Sequence, residues 1–162
     1  MPAIIEFSKR EFYEHEIKPL RIPKRSERLD PPLIDVFVKG GYRKGDVNDP
    51  EARAIVAEIE AIIADPDMVK RSIGVVTLLG KEQAKRIDDL IRRRIPTHEI
   101  VERRIRVGEP PVFQGRESDI MLLSMVLQKG DRGLPNMILH QQRMNVAASR
   151  ARDRMILFRS IE

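Results

Sequence analysis

The sequence predicts an α/β protein, with a mostly parallel sheet carrying helices on both faces. Three observations lead to this. Residues 73–79 (IGVVTLL) are apolar almost throughout, as suits a strand buried on both sides of a parallel sheet. Residues 120–127 (IMLLSMVL) form a second such run. Around these runs apolar residues recur at helical spacing, and strands alternating with helices imply crossover units and parallel pairing.

The elements follow in order. Residues 2–13 place Ile4, Ile5, Phe7 and Phe12 behind an early Pro2, a pattern for a short helix. Residues 18–32 are rich in Pro and cations and read as an exposed connector. Residues 33–38 (LIDVFV) form a strand closed by Gly40 and Gly41. Asp49 can cap the next helix with Pro50 at its first position, and Ile55, Val56, Ile59, Ile62 and Ile63 form its apolar face. Asp65 and Pro66 stop it. After the strand at 73–79, Gly80 opens a helix to about Arg94, with Ala84, Ile87, Leu90 and Ile91 inward, and Pro96 ends it. A short strand near 104–107, a turn at 109–111, the strand at 120–127, a helix over 141–152 and a last strand at 155–158 complete one domain over residues 1–162. No internal repeat or second domain is visible. Functional residues of open parallel sheets cluster at the carboxyl ends of strands, which points to residues 77–80 and to the polar loops flanking the strand at 120–127.

Composition narrows the function. The chain has 162 residues, 41% hydrophobic and 34% charged, a balance for a folded domain rather than a disordered one. It has no Cys, which removes disulfides, thiolate zinc sites and cysteine nucleophiles. His15, His98 and His140 are scattered. Aromatics are 4% with no Trp, too few for a base-stacking sheet of the RNA-binding type. No apolar run reaches membrane-spanning length and no secretion signal opens the chain, so a cytoplasmic location is expected. Thirty Lys and Arg against twenty-five Asp and Glu leave a formal charge of +5. Twenty-one of the cations are Arg, the side chain suited to forked contacts with phosphate and carboxylate. A polyanionic partner and a solvated basic surface both fit that surplus.

Three segments could carry chemistry. Gly74 to Gly80-Lys81-Glu82 has the outline of a phosphate loop, but five residues separate its glycines where four are needed, and Glu82 takes the place of the magnesium-binding hydroxyl. Tight, autonomous binding of ATP is therefore not expected. Gln114, Gly115 and Glu117 precede the strand at 120–127; a small residue, an amide and a carboxylate at a strand mouth suit a ligand, and also suit a plain strand entry. Residues 145–152 (NVAASRAR) precede the last strand. On a helix Arg150 and Arg152 would lie about 160° apart, one able to point across a cleft, although a basic helix end stabilised by its dipole has the same composition. Asp88 and Asp89 are adjacent and diverge on a helix, so a metal nuclease has no recognisable centre.

Taken together and in this order, these segments resemble the second RecA-like lobe of superfamily 1 helicases, in the branch related to the nonsense-mediated-decay helicases. FQGRESDIMLLSMV is similar to motif V and RMNVAASRARDRMILF to motif VI. IGVVTLLGKEQAKRI resembles the preceding strand-Thr-to-Gln segment, Asn48 to Ala52 the Asn-x-x-Glu-Ala helix start, and residues 2–8 the stretch after motif IV. The resemblance covers essentially the whole chain and is closest to large bacterial members with Asn-Val-Ala-Ala-Ser-Arg-Ala-Arg-Asp in motif VI, as at 145–153.

The resemblance implies a nucleotide-hydrolase fold of the P-loop class whose second lobe has no P-loop of its own, inactive without a first RecA-like lobe in the same polypeptide. Arg150 would be the arginine finger. Gly115, Glu117, Gln114 and Arg152 would approach the nucleotide, and Thr77 and Gln83 would contact the nucleic-acid backbone. ATP with Mg2+ would be bound by the longer protein and not tightly by this fragment. The partner would be single-stranded nucleic acid, with DNA favoured over RNA; no metal ligand is assigned here. Two departures stand out: Val107 to Val112 lacks the usual Ser or Thr before the motif V Gln, and Leu78-Leu79 replaces a Pro-aromatic pair. A stand-alone nucleic-acid-binding or regulatory module with the same fold is the alternative.

Overall fold

In the computed structural model, residues 32–113, 115–128 and 148–160 are described, together with Leu29, Asp131 and Asn145. The helix at 2–13, almost all of the connector at 18–32, and half of the helix at 141–152 lie outside them. Among the described residues five strands form one sheet: β1 Leu33–Phe37, β2 Ile73–Thr77, β3 Arg106–Gly108, β4 Ser118–Gln128 and β5 Ala151–Ser160. Their order is β1-β5-β4-β2-β3 and every pairing is parallel. This is the α/β architecture with a parallel sheet that the apolar runs predict, and it agrees with the RecA-like fold that the resemblance implies.

β2 is buried at all five positions because it lies between β4 and β3 with side chains packed on both faces. Its amides belong to the ladder, so the Gly74 to Gly80 segment cannot act as a phosphate cradle. Helices α1 Asp49–Ala64 and α2 Lys81–Arg94 pack on one face of the sheet. There Ile55, Val56, Ile59 and Ile62 meet Ile73, Val75, Ile120, Leu122, Ile156 and Phe158. Full burial of each such side chain is worth roughly 1.5–3 kcal/mol. The opposite face gathers Val76, Leu78, Met121, Leu123, Met155 and Leu157 under Phe113 and Ala148.

Four boundaries differ from expectation. The cap of α1 is Asn48, not Asp49: its side-chain oxygen accepts the Glu51 N–H at 3.1 Å, and Pro50 stands in the first turn. A short helix α3, Thr97–Glu102, follows Pro96, where the sequence shows only a helix stop. β4 and β5 are longer than their apolar runs, since Ser118 pairs with Ala151 and Ile120 with Arg154, while Asp119, Arg152 and Asp153 fall in the register shift between those pairs. The expected helix through Arg152 therefore ends at Arg150, and Arg152 is a strand residue.

Candidate functional site

Parallel strands give the sheet two distinct ends, and the residues singled out by sequence divide between them. Ser118 opens β4 and pairs with Ala151, which opens β5. Gly115, Glu117, Arg150 and Arg152 thus gather at the amino end. Thr77 pairs with Ser124 at the carboxyl end of β2, six residues and about 20 Å along β4. The loop before β4 therefore lies opposite the end that the carboxyl-end rule indicates.

At the amino end, Gly115 has φ +71 with open space around it, and the Arg116 N–H donates to the Phe113 carbonyl at 2.9 Å. This is the turn position that needs a positive φ, so conformation already accounts for the glycine. Gln114 lies outside the described residues. Arg152 sits between two carboxylates, with Nη1 at 3.6 Å from Asp119 and Nε at 4.0 Å from Glu117. Asp119 is fixed in turn by Ser72: it accepts the Ser72 N–H at 2.9 Å, and its own N–H donates to Ser72 Oγ at 2.9 Å. Asp153 is buried and paired with Arg71. Burial pushes the Asp153 carboxyl above its ordinary range and Asp119 adds to the shift, while Arg71 opposes it.

Arg150 belongs to a small group of shielded polar atoms left without partners. Its Nε is shielded from solvent and has no hydrogen-bond partner, and the same holds for both side-chain polar atoms of Asn145 and for Arg152 Nε. A buried donor without an acceptor costs about 1–3 kcal/mol. Donors left open beside a guanidinium fit an anionic ligand rich in acceptors, which is the chemistry of a polyphosphate. Among the described residues no group of three or more His, Cys, Asp or Glu side chains could hold a metal.

At the carboxyl end, Thr77 and Gln83 have no exposed surface. Thr77 Oγ1 donates to the Gly80 carbonyl at 3.4 Å. Gln83 accepts the Asn48 N–H at 2.9 Å and donates to the Asn48 carbonyl at 3.0 Å and Ser124 Oγ at 3.2 Å. Every bonding group of the Gln83 amide is occupied, so in this conformation it holds the fold together rather than reaching a ligand. Asn48 donates onward to the Val126 carbonyl and Ser160 Oγ. Glu51, also without exposed surface, accepts the N–H of Met125 at 2.7 Å and that of Val126 at 3.2 and 3.1 Å. Val126 has φ +68, a strained conformation for a β-branched residue. Asn48 and Glu51 hold the carbonyl and the amide of that one residue.

Sequence reasoning placed Asn48 and Glu51 only in a helix start, because their partners outside that start lie 35 to 112 residues away. The Ser72–Asp119 and Arg71–Asp153 pairs, 47 and 82 residues apart, left no local signal at all.

Two comparisons bear on these ends. The profile of the family described as AAA domain matches residues 1–161. The human protein named DNA replication ATP-dependent helicase/nuclease DNA2 is 26% identical over 114 residues, which is 70% of this chain and 10% of that protein. The chain thus spans about a tenth of the length of this relative.

Proposed function

From the premise that the chain belongs to the AAA domain family, we propose that it serves as the second motor lobe of an ATP-dependent helicase or translocase acting on single-stranded nucleic acid, with DNA as the favoured strand. The observation that carries this reading is Arg150: a guanidinium with a shielded, unpartnered Nε, beside Arg152 and the open polar atoms of Asn145, at one end of a parallel sheet. The human helicase/nuclease relative supports the same class of activity.

In this reading the nucleotide, bound with Mg2+ mainly by a first lobe, supplies the phosphoryl group to be transferred to water. Arg150 is the arginine finger, placing positive charge where negative charge develops. Glu117 and Asp119 hold Arg152 and so keep the neighbouring guanidinium from collapsing onto Arg150's place. Gly115 offers an exposed backbone turn beside them. The lobe by itself has no phosphate cradle and does not hydrolyse ATP.

The test is nucleic-acid-stimulated ATP hydrolysis by the longer protein that contains both lobes. Arg150→Ala lowers turnover by ~10³–10⁵, or about 4–7 kcal/mol of barrier, with unchanged far-UV circular dichroism. Full turnover in that variant removes the finger assignment. Tight binding of nucleic acid by the lobe, in a protein with no first lobe, favours the stand-alone module instead.

A further inference from the structure

Four aromatic residues lie among the described residues, and they divide evenly. Phe113 and Phe158 are 1% exposed, whereas Phe37 and Tyr42 are 45% and 57% exposed. Leaving a ring in water forgoes much of the roughly 1.5–3 kcal/mol that its burial provides, so each exposed ring calls for a reason. Phe37 has one: the Arg159 guanidinium lies 5.4 Å from its ring centroid and pairs with Asp35. Among the described residues nothing stacks on or hydrogen-bonds to the Tyr42 side chain.

The backbone on either side of Tyr42 is nevertheless held firmly. Gly41 donates to the Val38 carbonyl at 3.1 Å and lies so close to Ser160 that a Cβ would overlap its hydroxyl. The Arg43 N–H donates to Gln128 Oε1 at 2.6 Å, and its guanidinium donates to Asp131 at 3.2 Å. Lys44 and Val47 then close a small antiparallel bridge. A pinned backbone with its ring in water is a preorganised contact, since little conformational entropy remains to be lost on binding.

The surroundings are cationic. Residues 38–47 contain Lys39, Arg43 and Lys44 against Asp46 alone, and Asp46 is 3.6 Å from Arg43. Lys39 and Lys44 are exposed, and Arg53 of α1 is within electrostatic reach of the Tyr42 hydroxyl. This loop follows the carboxyl end of β1 and abuts the turn after β2, where a Cβ on Gly80 would stand 3.3 Å from that of Asp46. Exposed Lys81 follows Gly80.

We infer that Tyr42 is a stacking platform for one base of a single strand, with Lys39 and Lys44 on the flanking phosphates. This rests on the nucleic-acid reading above and gives it a site, independent of Thr77 and Gln83, which the fold buries. An aromatic face among cations, bordered by glycines that let a backbone approach, binds single strands without reading their sequence.

The experiment uses the full 162-residue chain and a single-stranded DNA of about 20 nucleotides carrying 2-aminopurine. Anisotropy reports affinity and 2-aminopurine quenching reports stacking. Tyr42→Ala weakens binding about 5- to 150-fold and abolishes the quenching, as expected for loss of one base–ring stack. Tyr42→Phe restores both. Lys39→Ala with Lys44→Ala retains the quenching but reduces the slope of log affinity against log salt by about 1.4, the value for two phosphates on a single strand. If wild-type chain binds and Tyr42→Ala binds and quenches equally, the platform is overturned while the nucleic-acid reading stands. If wild-type chain shows no binding up to about 100 µM at low salt, the platform is overturned, while the two-lobe reading is decided separately by nucleic-acid-stimulated ATP hydrolysis of the longer protein.

Discussion

A carboxylate with no exposed surface must be ion-paired, hydrogen-bonded or protonated, and Glu51 is held by two backbone N–H groups and the Ser124 hydroxyl, with no cationic partner among the described residues. Burial raises its carboxyl to about 7, the Val126 and Met125 amides only partly offsetting it. The folded state therefore holds a proton that the unfolded chain has released above its ordinary value of 4.5. Stability from this group is fully present below 4.5 and is lost as pH rises through about 7, a span worth about 3 kcal/mol. Urea unfolding of wild type against Glu51→Gln between pH 5 and 8 isolates the effect, because Gln keeps an acceptor and cannot titrate. The difference in slope should lie in that window, and parallel curves would remove the assignment. Glu51→Ala strands two buried amides on a strained backbone and should cost about 2–5 kcal/mol at the acid end of that window, where the contribution of the carboxyl is largest.

At the scale of elements, β2 shows how tightly the sheet is built. A Cβ at Gly74 would stand 2.5 Å from Met121 Sδ, 2.8 Å from Ser118 Oγ and 2.9 Å from a Phe113 ring carbon. Gly74→Ala should therefore destabilise by about 1–3 kcal/mol through overpacking, read as a lower thermal midpoint with no change of secondary structure. The strand itself was legible, since a run such as IGVVTLL has few other places to go. Its glycine was not, because the residues that fill the space beside it come from the loop before β4 and from β4 itself. α3 escaped for a related reason: six residues with no buried member have no apolar face to display. The ends of β4 and β5 escaped because Asp119, Arg152 and Asp153 break the apolar pattern at a register shift, while Ser118 with Ala151 and Ile120 with Arg154 still pair on either side of it.

For the whole molecule, the parallel sheet separates the arginine cluster from the network around Asn48 by about 20 Å. Sites so far apart with no shared partner should be energetically independent. Asp119→Ala and Gln83→Ala should then add in stability to within about 0.5 kcal/mol, whereas Asn48→Ala and Gln83→Ala, which delete halves of one network, should fall short of additivity by more than that. Denaturant melts of the single and double variants measure both. Strong coupling between the first pair would show that the two ends communicate through the fold.

The sequence alone determined the architecture, because apolar runs and helical spacing are local consequences of which faces must leave water. It also marked Arg150 and Arg152 by their order and spacing around the start of the last strand. Only the tertiary structure decided which groups meet. The pairing of β4 with β5 sets Arg152 between Glu117 and Asp119, the packing of α1 and α2 over β4 turns Gln83 inward, and the contacts of Gly41 with Ser160 and of Arg43 with Gln128 fix the loop that leaves Tyr42 out. Those outcomes depend on chain segments far apart in sequence coming to lie side by side, and no local pattern encodes that.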